Sequence, residues 1–103
     1  MGQLHPIAKP WGCTYRLGPA HFADIKKGGT SSRHNHPRDI NGFFVIKGKL
    51  KIIQDVGGEV ILEDRDFLQV EARNWHRFEA LEDTWLIEIY VPDDGIIRDQ
   101  PVA

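Results

Sequence analysis

Apolar residues in this chain come in short runs, and few of them recur at the three-to-four spacing of a helix face. Lys49-Leu50-Lys51-Ile52 alternates polar and apolar, the period of a strand with one buried face. Phe43-Phe44-Val45-Ile46 is continuously apolar, as a strand covered on both faces should be. The runs are rich in β-branched and aromatic residues and are bounded by Gly, Asp, Asn and Pro. The pattern predicts strands at Thr14–Leu17, His21–Lys26, Ser32–His36, Gly42–Lys47, Lys49–Asp55, Glu59–Leu62, Phe67–Val70, Trp75–Leu81 and Thr84–Val91. Val56-Gly57-Gly58-Glu59 reads as a hairpin turn, since two glycines supply the positive φ angles that primed turns need. Glu63–Asp66 and Glu82-Asp83 read as charged turns, and Pro92-Asp93-Asp94-Gly95 closes the last strand. The tail Ile96–Ala103 reads as a short helical turn or a frayed end.

Short strands at near-regular spacing, without an internal repeat, predict an all-β single domain, a small antiparallel sandwich or barrel. Residues 1–20 form an N-terminal arm or edge strand in this reading, 21–91 the barrel core and 92–103 the tail. Apolar residues on both faces of the middle strands predict a homodimer partner over the outer sheet face.

Composition narrows the class. At 103 residues the chain is one domain's length, enough to bury roughly two-thirds of its unfolded surface. A net charge of −2, with no basic run beyond Lys26-Lys27, argues against nucleic acid as a partner. No apolar stretch approaches the ~20 residues needed to cross a bilayer, so no membrane role is expected. The start lacks a secretory pattern, and the expected compartment is the cytoplasm. Cys13 is the only cysteine, which excludes an internal disulfide or a thiolate metal cluster and reads as a small hydrophobe.

The chemistry is carried by histidine. His34 and His36 stand two apart, so in extended backbone both imidazoles face one side. Pro37 favours a turn after them, flanked by Asp39 and Asn41, which brings Asn41 back beside the pair. A third imidazole, His76, would close a site of borderline softness suited to one divalent ion such as Zn, Mn, Fe, Ni or Cu. Asn41 is then a fourth ligand, a neighbour of the ligands, or only a turn residue. Three imidazoles and an amide would leave the ion's +2 charge uncompensated, making it a strong Lewis acid that attracts anionic oxygen.

Arg33, Arg38, Arg73, Arg77, Phe43, Trp75, Phe78, Glu88 and Tyr90 fall near this constellation. Parity puts Phe78 on the face of His76, with Arg77 and Glu79 pointing away. Arg33 and Arg38 bracket the His pair, as anion-holding groups or as a solvated rim. Phe43, Phe78 and Tyr90 are candidate substrate contacts, and the run holding Phe43 reads equally as core. Glu88 interrupts an apolar strand, either on a solvated face or lining the cavity as a base. His5 and His21 receive no role.

The order of these parts resembles the first motif of the cupin superfamily, glycine–x5–His–x–His–x4–Glu–x6–glycine. Gly28, His34, His36 and Gly48 match it, and Asn41 stands where the family usually has glutamate. The second motif, glycine–x5–proline–x–glycine–x2–His–x3–asparagine, is matched only by His76, with Arg65, Glu71, Arg73 and Ala80 at its other positions. The resemblance implies a jelly-roll barrel and a mononuclear metal. Lys9-Pro10-Trp11-Gly12, His76-Arg77-Phe78-Glu79 and Leu86-Ile87-Glu88-Ile89-Tyr90, with Asp94–Asp99 beyond, resemble the small cupin form of the mannose-6-phosphate isomerase group. That likeness implies a sugar-phosphate isomerase ancestry. Asn41 and the missing extension beyond Arg98 depart from the group's pattern. Three functions follow: a sugar or sugar-phosphate isomerase with Glu88 moving the proton, a three-histidine Fe(II) dioxygenase, or a non-catalytic cupin binding a sugar or an anion.

Overall fold

The computed structural model describes residues 3–93. Among them are nine strands and no helix: β1 (Ile7–Lys9), β2 (Gly12–Leu17), β3 (Ala20–Ile25), β4 (Asp39–Lys47), β5 (Lys49–Gln54), β6 (Gly58–Glu63), β7 (Phe67–Val70), β8 (His76–Ala80) and β9 (Thr84–Pro92). They form two antiparallel sheets, one in the order β1-β2-β3-β9-β4-β7 and one in the order β6-β5-β8. The architecture is a single-domain jelly-roll, as the short alternating runs imply.

Period-two side chains make the core. Ala23 and Ile25, Phe43 and Val45, Val70 and Leu86 point inward from the large sheet. Leu50 and Ile52, Leu62, Phe78 and Ala80 meet them from the small one. Two tight places require glycine. Gly48, at φ +118° between β4 and β5, has the Asp83 carbonyl where a Cβ would sit, and Gly28 holds φ +86° before the histidine segment.

The structure differs from the sequence pattern in four places. Ser32–His36 is not a strand; its segment touches β8 through two isolated bridges, Thr30↔Glu79 and His34↔His76. Four steps along the segment face three along β8, so an extra residue breaks the ladder as a bulge. β4 begins at Asp39, earlier than Gly42, which puts Asn41 inside a strand paired with Val70 and Tyr90 and not in a turn. Trp75 and Leu81 fall outside β8: Trp75 follows the turn at Ala72-Arg73, and Leu81 lies in the bend that leads to β9. The N-terminal arm contains β1 as well as β2, and β1 is the sheet's edge. The tail Ile96–Ala103 and the match at Asp94–Asp99 lie outside the described residues.

Candidate metal centre

The bulge and β8 together aim the three histidines. His34 N–H donates to the His76 carbonyl at 2.9 Å, and His76 N–H donates back to His34 at 2.8 Å. This close pair brings the rings of His34 and His76 to 4.6 Å between centroids. Two residues on, His36 lies 4.9 Å from His34 and 5.4 Å from His76. One donor atom from each of the three lies within 4.8 Å of the others, so they are positioned to bind one metal ion.

Their hydrogen bonds say which nitrogens are free. His34 Nδ1 lies 2.7 Å from the Ser32 carbonyl and His76 Nδ1 lies 2.8 Å from the Asn74 carbonyl. A carbonyl only accepts, so both Nδ1 atoms carry the proton and both Nε2 atoms present a lone pair, the tautomer that metal-ligating histidines use. His36 Nε2 is buried without a hydrogen-bond partner among the described residues. Burial pushes the His36 and His76 imidazoles below their ordinary value, which keeps them neutral and ready to ligate. An orphaned imidazole nitrogen and two oriented lone pairs fit a divalent ion.

Asn41 is fully buried beside them. Its Nδ2 donates to Glu88 Oε2 at 3.3 Å, leaving Oδ1 aimed at His76 Nε2 at 3.2 Å. Glu88, on β9 between His21 of β3 and Phe43 of β4, is 8% exposed. It also accepts from the Tyr90 hydroxyl at 3.1 Å. Burial pushes the Glu88 carboxyl above the usual carboxylate range, against the pull of the Tyr90 and Asn41 hydrogen bonds. Burial, and then the Glu88 carboxylate, push the Tyr90 phenol up.

A cavity of about 330 Å³ opens over His34, walled by Trp11, Phe78, Glu88 and Tyr90, with Lys9, Arg16 and His21 also on its lining. It is at the small end of the roughly 300–1,000 Å³ typical of ligand pockets. A second space of about 390 Å³ reaches His36 and shares Arg16, His21 and Tyr90 with the first. A larger cavity, about 780 Å³, lies elsewhere, bordered by Leu4, Tyr15, Leu17, Phe22, Trp85 and Ile87, and holds none of the three histidines.

Several residues flagged in the sequence are engaged away from this cavity. Arg33 pairs with Asp55 at 2.6 Å and stacks over Trp75 at 4.6 Å. The bulge turns it outward, because neighbours of an inward-facing His34 point the other way. Arg38 is exposed, and its carbonyl accepts from Asp93 N–H. Arg73 donates to the Pro37 carbonyl at 3.1 Å. Phe43 is 1% exposed and packs in the core, its ring 5.9 Å from His76, so it supports the histidines from below and offers no free face to a ligand. Phe78 is also buried, with an edge on the cavity wall. Glu88 and Tyr90 line the cavity. Arg16 and His21 have no role in the sequence reading, and Lys9 and Trp11 enter it only within the Lys9–Gly12 resemblance; alternation along Thr14–Arg16 and His21–Ala23 carries the signal of the first two, but it does not say which strand β3 will pair.

The sequence matches the family description "Cupin domain" over residues 21–91. Among solved structures, KdgF from Halomonas sp. superposes with a TM-score of 0.75 at 20% identity, covering 88% of each chain. Oxalate decarboxylase from Lactobacillus farciminis, in a formate complex, gives 0.76 at 18% identity, over 89% of this chain and 31% of that one. The Drosophila melanogaster CENP-C cupin domain gives 0.73 at 12% identity, over 85% and 75%. At these identities the likeness is one of fold. No curated protein sequence matches significantly.

Proposed function

Because this chain belongs to the cupin family, we propose that it is a metal-dependent protein acting on a small oxygenated substrate, a sugar or sugar-phosphate isomerase-like enzyme. The observation that carries this reading is Glu88, a carboxyl buried in the cavity wall and tied through Asn41 to the histidine cluster. A divalent ion held by His34, His36 and His76, with Asn41 beside them, would supply Lewis acidity toward neighbouring hydroxyl and carbonyl oxygens. Glu88 would take the proton from the carbon bearing the hydroxyl and return it to the adjacent carbonyl carbon. The hydroxyl proton passes to the former carbonyl oxygen, so no oxidant or reductant is consumed. The Tyr90 hydroxyl and the Asn41 amide hold the carboxyl in position, and Trp11 and Phe78 exclude water from one wall. The likeness of Lys9–Gly12, His76–Glu79 and Leu86–Tyr90 to the mannose-6-phosphate isomerase group supports the same chemistry.

The test is solvent deuterium exchange into mannose 6-phosphate and fructose 6-phosphate, followed by NMR, with protein loaded in turn with zinc, manganese, nickel and iron. Exchange that is lost in Glu88→Gln while metal content is kept supports the reading. Absence of exchange with every metal would leave a non-catalytic binding cupin. Iron as the native metal, with dioxygen uptake, would favour the oxygenase.

A second copy of this chain is the partner we infer for the outer face of the large sheet. The register aligns Tyr15, Phe22, Ile87, Phe44 and Phe67 in one row across five strands. Leu17, Phe67, Trp85 and Ile89 are exposed on that same face. So continuous an apolar surface favours burial, and a two-fold axis is the commonest way to achieve it.

A further inference from the structure

The wall of the cavity over His34 carries two cationic side chains, Lys9 and Arg16. Arg16 on β2 pairs across the sheet with His21 on β3, and His21 pairs with Glu88 on β9, so the three lie in one cross-strand row. Their inward side chains share the wall with Lys9 of β1 and with His34. One continuous space therefore runs from the metal ligands to two positive side chains. Among the described residues neither Lys9 nor Arg16 has an ion-pair partner; the ion pairs present are Lys26–Asp24, Arg33–Asp55, Lys51–Glu59 and Lys51–Glu79. Among the described residues the one acid in the cavity wall, Glu88, is already held by Asn41 and Tyr90. The imidazole of His21 is held below its ordinary value, first by burial and then by Arg16 and Lys9. The three histidines and Asn41 are neutral ligands, so a divalent ion there would add its full charge.

We propose that Lys9 and Arg16 hold the anionic group of a small polyhydroxylated substrate, a carboxylate or a phosphate, while its far oxygens meet the histidines. The inference rests on the reading that this cavity is the substrate site. It replaces Arg33, which pairs with Asp55, and Arg38, which does not line the cavity, with two residues from the N-terminal hairpin. It also gives β1 a task, since the edge strand brings Lys9 to the wall of the cavity. Arg16 supplies planar paired donors and Lys9 a mobile point charge, a combination suited to either anion. His21, between Arg16 and Glu88, separates the anion from the carboxyl that would repel it.

Calorimetry on the metal-loaded full chain tests this with three probes: gluconate, glucose 6-phosphate and neutral glucose. The double variant Lys9→Gln, Arg16→Gln should weaken the preferred anion about 10–100-fold, leaving metal content and glucose affinity unchanged. Both residues are exposed, so the variant should fold as the parent does. Tighter gluconate binding identifies a carboxylate ligand, and tighter glucose 6-phosphate a phosphate. Equal affinity of parent and double variant overturns the proposal, as does a parent that binds neither anion or binds glucose as tightly. Anion binding that depends on Lys9 and Arg16 without deuterium exchange would sink the isomerase and keep the subsite. Exchange with a KM indifferent to both substitutions would do the reverse.

Discussion

The amide oxygen of Asn41 faces Nε2 of His76 at 3.2 Å, and both atoms offer lone pairs. The amide is oriented by its hydrogen bond to Glu88, and the imidazole by its bond to the Asn74 carbonyl. Two acceptors held face to face repel unless a cation sits between or beside them, and ligands of one ion meet in this way. The same amide thus joins the metal centre to the buried carboxyl of the cavity.

Asn41→Asp should therefore tighten divalent-metal binding by about tenfold or more, because an isosteric carboxylate puts a formal negative charge at the ion. Competition with a coloured chelator measures it. The same change should weaken binding of simple carboxylates, since less positive charge remains on the metal. Unchanged affinity for both would mean that Asn41 does not touch the ion and serves only to position Glu88.

His34→Ala should lose most of the metal and keep the barrel. The side chain is only half buried, and the two backbone bonds that tie its segment to His76 do not involve the ring. The core lies below the site among Phe43, Val45, Leu50, Ile52 and Leu86, so hydrophobic packing holds the fold without the ion. Metal content by mass spectrometry and a circular-dichroism melt separate the cases. Unfolding of the variant would make the metal structural.

Arg65 and Arg73 occupy the two glycine positions of the second cupin motif, and both hold positive φ, 69° and 68°. The backbone of the motif is thus kept where its glycines are not. A side chain in that region costs roughly 1–2 kcal/mol, of which glycine's extra unfolded-state freedom returns about 0.5–1 kcal/mol. Arg65→Gly should stabilise the protein by about 0.5–1 kcal/mol in chemical denaturation. Arg73→Gly should gain less, since it gives up the side-chain bond to the Pro37 carbonyl.

Much of this was legible in the chain. Alternation in Lys49–Ile52 and the apolar run Phe43–Ile46 mark strands, and the i, i+2 spacing of His34 and His36 marks a shared face. The side of β8 that carries His76 and Phe78 follows from parity alone. The bulge at Ser32-Arg33 was not legible, because it arises from a mismatch of step counts with β8, a strand some forty residues later. Arg33 flanks His34 in sequence, and as its immediate neighbour it points away, to Asp55 and Trp75. Lys9 and Arg16 reach the cavity only because β3 pairs with β9, a crossover that local pattern does not encode.

The metal-free protein should lose stability in mild acid. Burial first, then Arg16 and Lys9, lower the His21 imidazole below its ordinary value. As pH falls through about 6.5, the unfolded chain takes the proton before the folded one does, so stability declines until pH passes the folded value. His36 and His76 share that sign through burial, and Glu88, which burial raises, opposes it. Melting temperature should drop between about pH 7 and pH 5, and His21→Gln should flatten part of the slope. Parallel profiles for parent and variant would show that His21 titrates alike in both states.

The outer sheet face makes the last prediction. Trp85, on β9, is 49% exposed and Phe67, on the edge strand β7, is 55% exposed, within an apolar field that Tyr15, Phe22, Ile87 and Phe44 complete. A stable interface needs on the order of 1,000 Å² or more, and a two-fold axis counts every anchor twice. Burying one such aromatic is worth roughly 1.5–3 kcal/mol, so removing it from both copies should cost a dimer about 3–6 kcal/mol. Sedimentation should find the parent dimeric and Trp85→Glu or Phe67→Glu monomeric at the same concentration, each with its metal retained. The histidines lie on the opposite face of this sheet, so dissociation should leave the site assembled. A parent that sediments as a monomer at high concentration would end the dimer reading and leave that face for another partner.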